Sequence, residues 1–367
     1  MSLRILFAGG GTGGHLFPGI AVAEELGRRV PEVEICFAGS TRPIEQQILA
    51  QTSYRHLQLE MEPSTGFRRH PFRSLHRFRK ACQFAAAELT HFNPETVIGL
   101  GGFASLPFVW AASRQHRPVM LLEQNIIAGR ATKLGSYFAN QLCLSFPETQ
   151  GRLSPKPEHI VTGNPVRQSI LQSVIRSVPS SARKKLIVLG GSQGAHNLNT
   201  LVLHAIRTLQ TELKDWEIYH QAGEQDETRV RDGYQQLSID VKVAPFFERL
   251  EELYHGATLA ICRAGATTLA ELACAGCPAI LVPYPHAMAD HQTENARYFE
   301  ANGAAILSPE PASGFDNVDA SESDQNRLGQ HLQRLLEQPD KLIAMQQAMR
   351  NLSRPTAAAT VVDLLLQ

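Results

Sequence analysis

Three glycine-rich turns, each directly after an apolar run, are the parts of this 367-residue chain best suited to chemistry. The first runs from Gly9 to Gly14 and is followed by His15, and the second runs from Gly190 to Gly194. The third, RAGATT, starts at Arg263 and precedes Glu271. Glycines let backbone N–H groups approach an anion at a helix N-terminus, where the helix dipole also favours negative charge. The pattern therefore predicts phosphate or diphosphate binding.

The first turn also matches the G-x-G-x-x-G pattern of nicotinamide and flavin sites. Such sites normally carry an Asp or Glu at the end of the second strand, whereas that predicted strand ends in FAGS at Ser40. A Walker A loop is excluded because the chain contains no Gly-Lys pair. The sequence therefore lacks the acidic residue that would be the second indication of a dinucleotide-dependent oxidoreductase. His15 at the mouth of an anion-binding turn is a better catalytic candidate than an isolated histidine.

The third turn has two interpretations, which the sequence leaves open. In one, Thr267 or Thr268 caps a helix and Glu271 is the acid of a capping box. In the other, backbone N–H groups from Gly265 to Thr268 hold a diphosphate, and Glu271 accepts hydrogen bonds from the two hydroxyls of a ribose.

The cysteine pattern does not indicate a metal site. Cys274 and Cys277 form a C-x-x-C pair, but the chain has no second pair to complete a zinc site. Asp-x-Asp, the carboxylate pair of one class of sugar transferases, is absent. We expect the cysteines to be structural and the protein to occupy a reducing cytosol. We also expect that any sugar–diphosphate bond is broken without a metal ion, with helix dipoles and arginine stabilising the leaving group.

Short apolar runs alternate with helical patterns along the chain, which indicates an α/β fold with parallel sheets. The predicted strands are residues 3–9, 33–40, 96–102, 119–125, 141–146, 159–165, 186–189, 216–223, 242–246, 259–265, 278–285 and 304–307. Because the strand–glycine turn–helix pattern restarts near residue 186, we expect two doubly wound, Rossmann-like domains facing across a cleft, with ligands beyond the carboxyl ends of the strands. The predicted organisation is a first domain over 1–165, a linker over 166–184, a second domain over 185–345, and a C-terminal helix over 346–367 that packs back on the first domain.

Charge is balanced over the whole chain, with 35 Lys plus Arg and 35 Asp plus Glu, which argues against a nucleic-acid partner. The cations nevertheless concentrate between Gly66 and Lys80, where six Arg or Lys alternate with apolar residues and no acid occurs. This stretch is either a solvated basic surface or a surface that contacts anionic lipid. An acidic surface loop is expected over 309–324. No apolar stretch is long enough to span a membrane.

Seven segments in order resemble one family: GGGTGGHLFPGIAVAEEL, GLGGFASLP, LLEQNIIAGRAT, GNPVR, GGSQGAHNLN, CRAGATTLAEL and DHQTENA. Together they closely resemble the MurG family of transferases. The resemblance implies the two-domain GT-B fold. It also implies inverting transfer of N-acetylglucosamine from UDP-N-acetylglucosamine to undecaprenyl-diphosphate-linked N-acetylmuramoyl-pentapeptide in peptidoglycan synthesis. The resemblance further implies a peripheral position at the cytoplasmic face of the cell membrane, and a reaction that uses no cofactor and no metal ion.

The resemblance also implies substrate-binding residues. In the first domain they are Thr12, Gly13 and Gly14 near the donor sugar and Asn125 at the N-acetylglucosamine, followed in the linker by Arg167 at the diphosphate. In the second they are Ser192 at the diphosphate, Phe247 with its backbone at the uracil, Arg263 near the leaving UDP, Ala266, Thr267, Thr268, Leu269, Ala270 and Glu271 at the phosphates and ribose, and Gln292 at the sugar hydroxyls.

His15 is the predicted general base that deprotonates the acceptor's 4-hydroxyl, because histidine as a residue type titrates near neutral pH. Glu123 is the rival candidate. Three alternatives to this function remain: an oxidoreductase, a non-catalytic sugar-nucleotide binding module, and a UDP-sugar epimerase or a transferase acting on another lipid.

Overall fold

A computed structural model of the chain describes residues 2–59, 71–175, 183–191, 194–287, 290–311 and 326–367. The chain divides into two compact units, which we call the first domain (Met1–Gln168 with Arg354–Gln367) and the second domain (Ser169–Ser353). The first domain therefore contains both the beginning and the end of the chain.

The first domain begins with an alternation of strands and helices. Its elements are β1 (Arg4–Gly9), α1 (Gly13–Arg29), β2 (Glu34–Ser40), α2 (Pro43–Ala50), β3 (Arg55–Leu59), α3 (Pro71–Phe92), β4 (Thr96–Gly101), α4 (Ser105–Arg114), β5 (Val119–Glu123), α5 (Arg130–Gly135), β6 (Gln141–Leu144) and β7 (Glu158–Val161).

The same alternation continues into the second domain, and the last helix returns to the first. The elements are α6 (Gln168–Ile175), β8 (Lys184–Leu189), α7 (His196–Thr208), β9 (Trp216–Gln221), α8 (Glu227–Tyr234), β10 (Asp240–Ala244), α9 (Leu250–Tyr254), β11 (Leu259–Cys262), α10 (Ala266–Ala275), β12 (Ala279–Leu281), α11 (His291–Ala301), β13 (Ala305–Leu307), α12 (Arg327–Glu337), α13 (Pro339–Leu352) and α14 (Ala357–Leu365).

Each domain is built on one parallel sheet. In the described residues the strand order is β3-β2-β1-β4-β5-β6-β7 in the first sheet and β10-β9-β8-β11-β12-β13 in the second. The predicted fold class, two doubly wound parallel-sheet domains, is confirmed. The sequence did not predict β3, an edge strand of which only Leu59 is buried.

The strand order reverses beside β1 in the first sheet and beside β8 in the second. Strand β1 pairs with β2, the next strand in the sequence, on one side and with β4 on the other. Ligands of open parallel sheets bind at such switch points, outside the carboxyl ends of the strands. Both glycine turns that follow β1 and β8 are therefore at the positions where a ligand is expected.

Helices cover both faces of the first sheet, so its strands are apolar on both sides. Along β1, Ile5 and Phe7 join a core with α1, while Leu6 and Ala8 join a second core with α3 and α4. Helix α14 completes the α1 side: its Val361 belongs to that core. The C-terminal helix is thus a structural part of the first domain.

The sequence pattern predicts a helix from about Leu16 to Arg29, with Pro18 in its first turn. Helix α1 begins at Gly13, three residues before that predicted start. Pro18 consequently lies inside the helix, in its second turn, rather than in the first turn where we expected it. None of the described helices is long and apolar enough to cross a bilayer.

Candidate functional sites

The first glycine turn packs directly against the turn that follows β4. A Cβ on Gly9, whose φ is +134°, would lie 2.3 Å from the carbonyl oxygen of Gly101. A Cβ on Gly102 would lie 2.3 Å from the carbonyl oxygen of Gly10. The glycines are therefore required by backbone-to-backbone contact at the switch point, independently of any ligand.

A buried carboxylate, Glu45 of α2, braces the first turn. It accepts the N–H of Gly11, the N–H of Ser40 at 2.7 Å and the hydroxyl of Ser40. The Gly11 N–H is thus bound within the domain, and an anion at this turn would meet the N–H groups further along, at the start of α1. Glu45 is fully buried, and its two oxygens serve these hydrogen bonds within the first domain. Sequence reasoning missed it because it follows the strand end by five residues.

His15 is held by Gln124, which follows β5. Their side chains approach to 2.9 Å between His15 Nδ1 and Gln124 Oε1. Gln124 Nε2 donates to the carbonyl oxygens of Leu100 at 3.3 Å and Leu122 at 3.2 Å. With the amide oriented in this way, Gln124 presents its carbonyl oxygen, a hydrogen-bond acceptor, to Nδ1 of His15.

Glu123, the rival catalytic candidate, is buried and bound to the loop after β5. Its Oε1 accepts the backbone N–H of Asn125 at 3.0 Å and the side-chain Nδ2 of Asn125 at 3.3 Å. Its Oε2 accepts the N–H of Gly129 at 2.9 Å. The carboxylate therefore fixes the loop that carries Asn125, one of the predicted sugar-binding residues.

Arg167 lies beside the first glycine turn, within the same domain. Its guanidinium carbon is 4.1 Å from the centre of the Phe17 ring, a cation–π contact. Phe17 in turn packs on Gly13, where a Cβ would lie 2.8 Å from Phe17 Cε2. Thr12 and Gly14 are exposed and Gly13 is buried. The structure thus brings Arg167 and the predicted turn residues together on one edge of the first sheet.

In the second domain, Glu271 is a buried carboxylate in the second turn of α10, 3 % exposed. The helix is capped by Gly265, which has no side chain to act as a cap. The capping-box interpretation, with Thr267 or Thr268 as the cap, is therefore wrong. Glu271 instead accepts a 2.9 Å hydrogen bond from the hydroxyl of Tyr254, a residue that sequence reasoning missed.

The start of α10 has the polarity expected of an anion site. The first backbone bond within the helix runs from Leu269 N to the carbonyl oxygen of Gly265 at 3.0 Å, so the N–H groups before it form the positive end of the helix dipole. Ala266 and Thr267 are buried, and Thr268 and Ala270 are half-buried. The side chain of Leu269 is fully buried.

Arg263 is bound within the second domain. It donates to the carbonyl oxygens of Val282 at 3.0 Å and Pro283 at 3.2 Å, and it pairs with Glu310 at 2.5 Å. Both side chains of the ion pair are almost buried, so the charge of Arg263 is compensated locally. Glu310 belongs to the stretch that we expected to be an acidic surface loop. At Glu310 this expectation is wrong, because its carboxylate pairs with Arg263 after β11; residues 312–324 of that stretch lie outside the described residues.

Two glutamines connect loops at the carboxyl edge of the second sheet. Gln292 Oε1 accepts the N–H of Tyr284 at 3.0 Å. Gln221 Nε2 donates to the carbonyl oxygen of Gly191 in the second glycine turn at 3.0 Å, and its Oε1 accepts the N–H of Phe247 at 3.4 Å. Gln221 thus joins the second turn to the predicted uracil-binding segment. Ser192 lies outside the described residues.

A series of buried, hydrogen-bonded polar groups supports the second glycine turn. Gly194 packs on the carbonyl oxygen of Ala222, where a Cβ would lie 2.9 Å away. Asn199 Nδ2 donates to that same oxygen at 2.8 Å, and Asn199 Oδ1 accepts from Nε2 of His220 at 3.0 Å. The hydroxyl of Tyr234 lies 2.8 Å from Nδ1 of His220. Burial lowers the pKa of His220 to about 3, so this histidine is neutral.

All six cysteines are free thiols. Burial raises the pKa of the Cys277 thiol, as expected for a structural cysteine. Within the described ranges, no three His, Cys, Asp or Glu side chains group in a way that could hold a metal ion.

Five residues that support these sites were not predicted. They are Glu45, Gln124, Gln221, Tyr254 and Glu310. Gln124 lies inside the EQN run that the sequence analysis singled out, and its position next to two candidates was the available signal. The others act on sites far away in the sequence, and no local pattern marks them.

Models of two domain families match the chain. The glycosyltransferase family 28 N-terminal domain covers residues 5–143, and the glycosyltransferase family 28 C-terminal domain covers residues 185–361. Together with the two parallel sheets and the turns at their switch points, these matches define a glycosyltransferase of family 28.

Relatives extend over the full length of the chain. A protein of Stutzerimonas stutzeri is 36 % identical over 372 residues, covering 100 % of this chain and 99 % of the relative. One of Geobacter metallireducens is 35 % identical over 369 residues, covering 98 % and 97 %. Both are named UDP-N-acetylglucosamine–N-acetylmuramyl-(pentapeptide) pyrophosphoryl-undecaprenol N-acetylglucosamine transferase. This chain belongs to that transferase family.

Solved structures agree with this assignment. MurG of Acinetobacter baumannii superimposes with a TM-score of 0.75 at 27 % identity, covering 99 % of both chains. A putative UDP-N-acetylglucosamine 2-epimerase of Listeria monocytogenes gives a TM-score of 0.70 at 13 % identity, covering 100 % of this chain and 96 % of the other. The second similarity concerns the fold alone.

Proposed function

We propose that this protein transfers N-acetylglucosamine from UDP-N-acetylglucosamine to the 4-hydroxyl of undecaprenyl-diphosphate-linked N-acetylmuramoyl-pentapeptide. The observation that carries this proposal is the 36 % identity over essentially the whole length of a relative whose name states both donor and acceptor. Both domains are included in that identity, so the chain retains the regions for both substrates.

The second domain supplies the donor site in this proposal. The start of α10 places a positive helix end where the UDP diphosphate binds, and the buried carboxylate of Glu271 accepts hydrogen bonds from the ribose hydroxyls. The same helix end stabilises the charge that develops on the leaving UDP. On this proposal the departure of UDP depends on helix dipoles and arginine rather than on a metal ion.

The first domain supplies the base. Nδ1 of His15 faces the carbonyl oxygen of Gln124, which leaves Nε2 as the nitrogen that takes the proton of the attacking 4-hydroxyl. The lone pairs of Glu123 instead accept three N–H bonds from the following loop. Attack from the face opposite UDP, through an oxocarbenium-like transition state, inverts the anomeric centre.

The test measures UDP release with three acceptor conditions: muramoyl-pentapeptide diphosphate lipid, a diphosphate lipid carrying another sugar, and no acceptor. Rapid UDP release with the first acceptor alone supports the proposal. Equal release with both lipids contradicts the acceptor assignment. Conversion of free UDP-N-acetylglucosamine to its 2-epimer without acceptor would instead identify the epimerase alternative, and absence of all turnover would identify a binding module.

The surface of α3 and its neighbours is the proposed contact with anionic lipid at the cytoplasmic face of the membrane. Of the predicted stretch from Gly66 to Lys80, residues 71–80 are described, and they form the first part of α3. Phe72 is 87 % exposed and Leu75 is 52 % exposed, among arginines and lysine. Helix α4 packs on α3, and its Trp110 is also exposed.

Such a surface suits a peripheral protein, because exposed apolar side chains enter the lipid interface while cations contact its headgroups. Each basic residue near an anionic membrane contributes roughly 1 kcal/mol of binding. Binding through this surface would bring the first domain to the lipid-linked acceptor.

A further inference from the structure

Gln124 is the residue on which the chemical state of His15 depends. It is 3 % exposed and contacts the histidine through its carbonyl oxygen only. It lies between Glu123 and Asn125, two residues of the candidate site.

The orientation of the Gln124 amide is fixed by two backbone carbonyls. Its Nε2 faces the oxygens of Leu100 and Leu122, at 3.3 and 3.2 Å. A flipped amide would place Oε1 against both of these acceptors, in a buried position where water cannot relieve the repulsion. Oε1 therefore points to His15, and it can only accept.

An acceptor at 2.9 Å from Nδ1 requires that nitrogen to carry a proton. We propose that Gln124 is a positioning residue that holds neutral His15 as the Nδ1–H tautomer, with the lone pair on Nε2. The tautomer follows from the geometry of the first domain alone. Its catalytic consequence rests on the proposed function, in which Nε2 deprotonates the acceptor hydroxyl.

Gly101 restricts the same pair by packing. A Cβ on Gly101 would lie 3.1 Å from Nδ1 of His15 and 3.8 Å from Oε1 of Gln124. The Nδ1 edge of the histidine ring therefore lies against the backbone at the end of β4. A 180° flip of the ring would place Cδ2 where Nδ1 is and would break the contact with Oε1 of Gln124.

A merely structural role predicts something different. Gln124 also connects the carbonyls of β4 and β5, and on that basis alone its loss would destabilise the domain without changing the state of His15. The experiment must therefore read the tautomer directly and must separate the action of Gln124 through His15 from its effect on stability.

The first measurement uses the unmodified protein. Two-bond ¹H–¹⁵N correlation spectra at pH 8 distinguish Nδ1–H from Nε2–H imidazoles, and the His15 signal is assigned by its disappearance in His15→Gln. We expect the Nδ1–H pattern at His15. An Nε2–H pattern overturns the proposal, whether or not the protein is a transferase.

The second measurement uses Gln124→Leu, with Gln115→Leu as the matched control. Gln115 lies in the same domain and its Nε2 also donates to a backbone carbonyl, that of Ala86 at 2.9 Å. For Gln124→Leu we expect loss of the pure Nδ1–H pattern and a kcat lowered about 10- to 100-fold, the usual effect of removing an orienting partner, with an unchanged KM for UDP-N-acetylglucosamine. Gln115→Leu is expected to change neither.

A double-mutant cycle completes the test. If Gln124 acts through His15, Gln124→Leu lowers kcat no further in a His15→Ala background. Equal factors in both backgrounds would contradict the positioning role. If the unmodified protein shows no transferase activity, the proposed function is contradicted instead. The tautomer measurement then still decides whether Gln124 positions His15.

Discussion

The hydroxyl of Tyr254 donates a 2.9 Å hydrogen bond to Oε2 of Glu271, and both side chains are buried. Tyr254 ends α9, whereas Glu271 lies in the second turn of α10. The bond fixes one carboxylate oxygen in the domain that we propose binds UDP-N-acetylglucosamine. A carboxylate held in this way needs no reorganisation when it accepts hydroxyl hydrogen bonds from a ribose.

Tyr254→Phe removes this donor and keeps the ring. A hydrogen bond to a charged group contributes about 1.5–3 kcal/mol, part of which is recovered when Glu271 binds the ligand. We expect KM for UDP-N-acetylglucosamine to rise about 5- to 10-fold, roughly 1–1.4 kcal/mol, with kcat changed less than 2-fold. Steady-state kinetics with saturating acceptor measure both. Tyr298→Phe in α11 is the control, and an unchanged KM in Tyr254→Phe would contradict the role of Glu271.

His15→Ala and Glu123→Gln separate the two candidate bases. Because Nε2 of His15 carries the lone pair, we expect His15→Ala to lower kcat about 10²- to 10⁴-fold. Glu123→Gln retains a side chain that can accept some of the N–H bonds of Asn125 and Gly129, so we expect a lower melting temperature and a smaller loss of kcat. The reverse result, normal turnover in His15→Ala and none in Glu123→Gln, would show that Glu123 is the base.

The buried neutral His220 makes the second domain sensitive to acid. Its pKa is about 3 in the folded domain, against an ordinary value of 6.5. Below pH 6.5 the unfolded chain takes up a proton at this residue that the folded domain does not. Stability is therefore lost as pH falls from 6.5 towards 3, by at most about 1.4 kcal/mol per pH unit from this group.

We expect His220→Gln to be less stable at pH 7.5 and to have a smaller dependence of its unfolding free energy on pH. Urea unfolding at pH 7.5, 6.0 and 5.0 measures the slope. His204→Gln, at an exposed position of α7, controls for replacing a histidine in this domain. A slope in His220→Gln equal to that of the unmodified protein would refute the assignment.

Charge reversal on α3 tests the proposed membrane surface. We expect the triple variant Arg73→Glu, Arg77→Glu, Lys80→Glu to lose most co-sedimentation with vesicles containing anionic lipid, because three attractive contacts of roughly 1 kcal/mol each become repulsive. The matched control reverses three exposed cations of the second domain, Arg297, Arg334 and Lys341. Equal sedimentation of both variants would defeat the proposal.

Several features followed from the sequence because their causes are local. An apolar run such as residues 3–9 indicates a buried parallel strand, and glycines after it indicate a turn where only backbone fits. The two-domain fold was predicted from the repetition of this pattern. The start of α1 was misplaced by three residues, because Gly13 and Gly14 are poor helix formers and the apolar pattern begins only at Leu16.

The tertiary structure decided which side chains share a site. Glu45 reaches Gly11 across 34 positions, Gln124 reaches His15 across 109, and Tyr254 reaches Glu271 across 17. A hydrogen bond needs two groups within about 3 Å, and sequence spacing sets no such distance between residues on different elements. The sequence alone thus determined the residue types at the carboxyl ends of β1 and β5. The parallel order of the strands brings those ends to one edge of the sheet. It thereby determined which nitrogen of His15 keeps its lone pair.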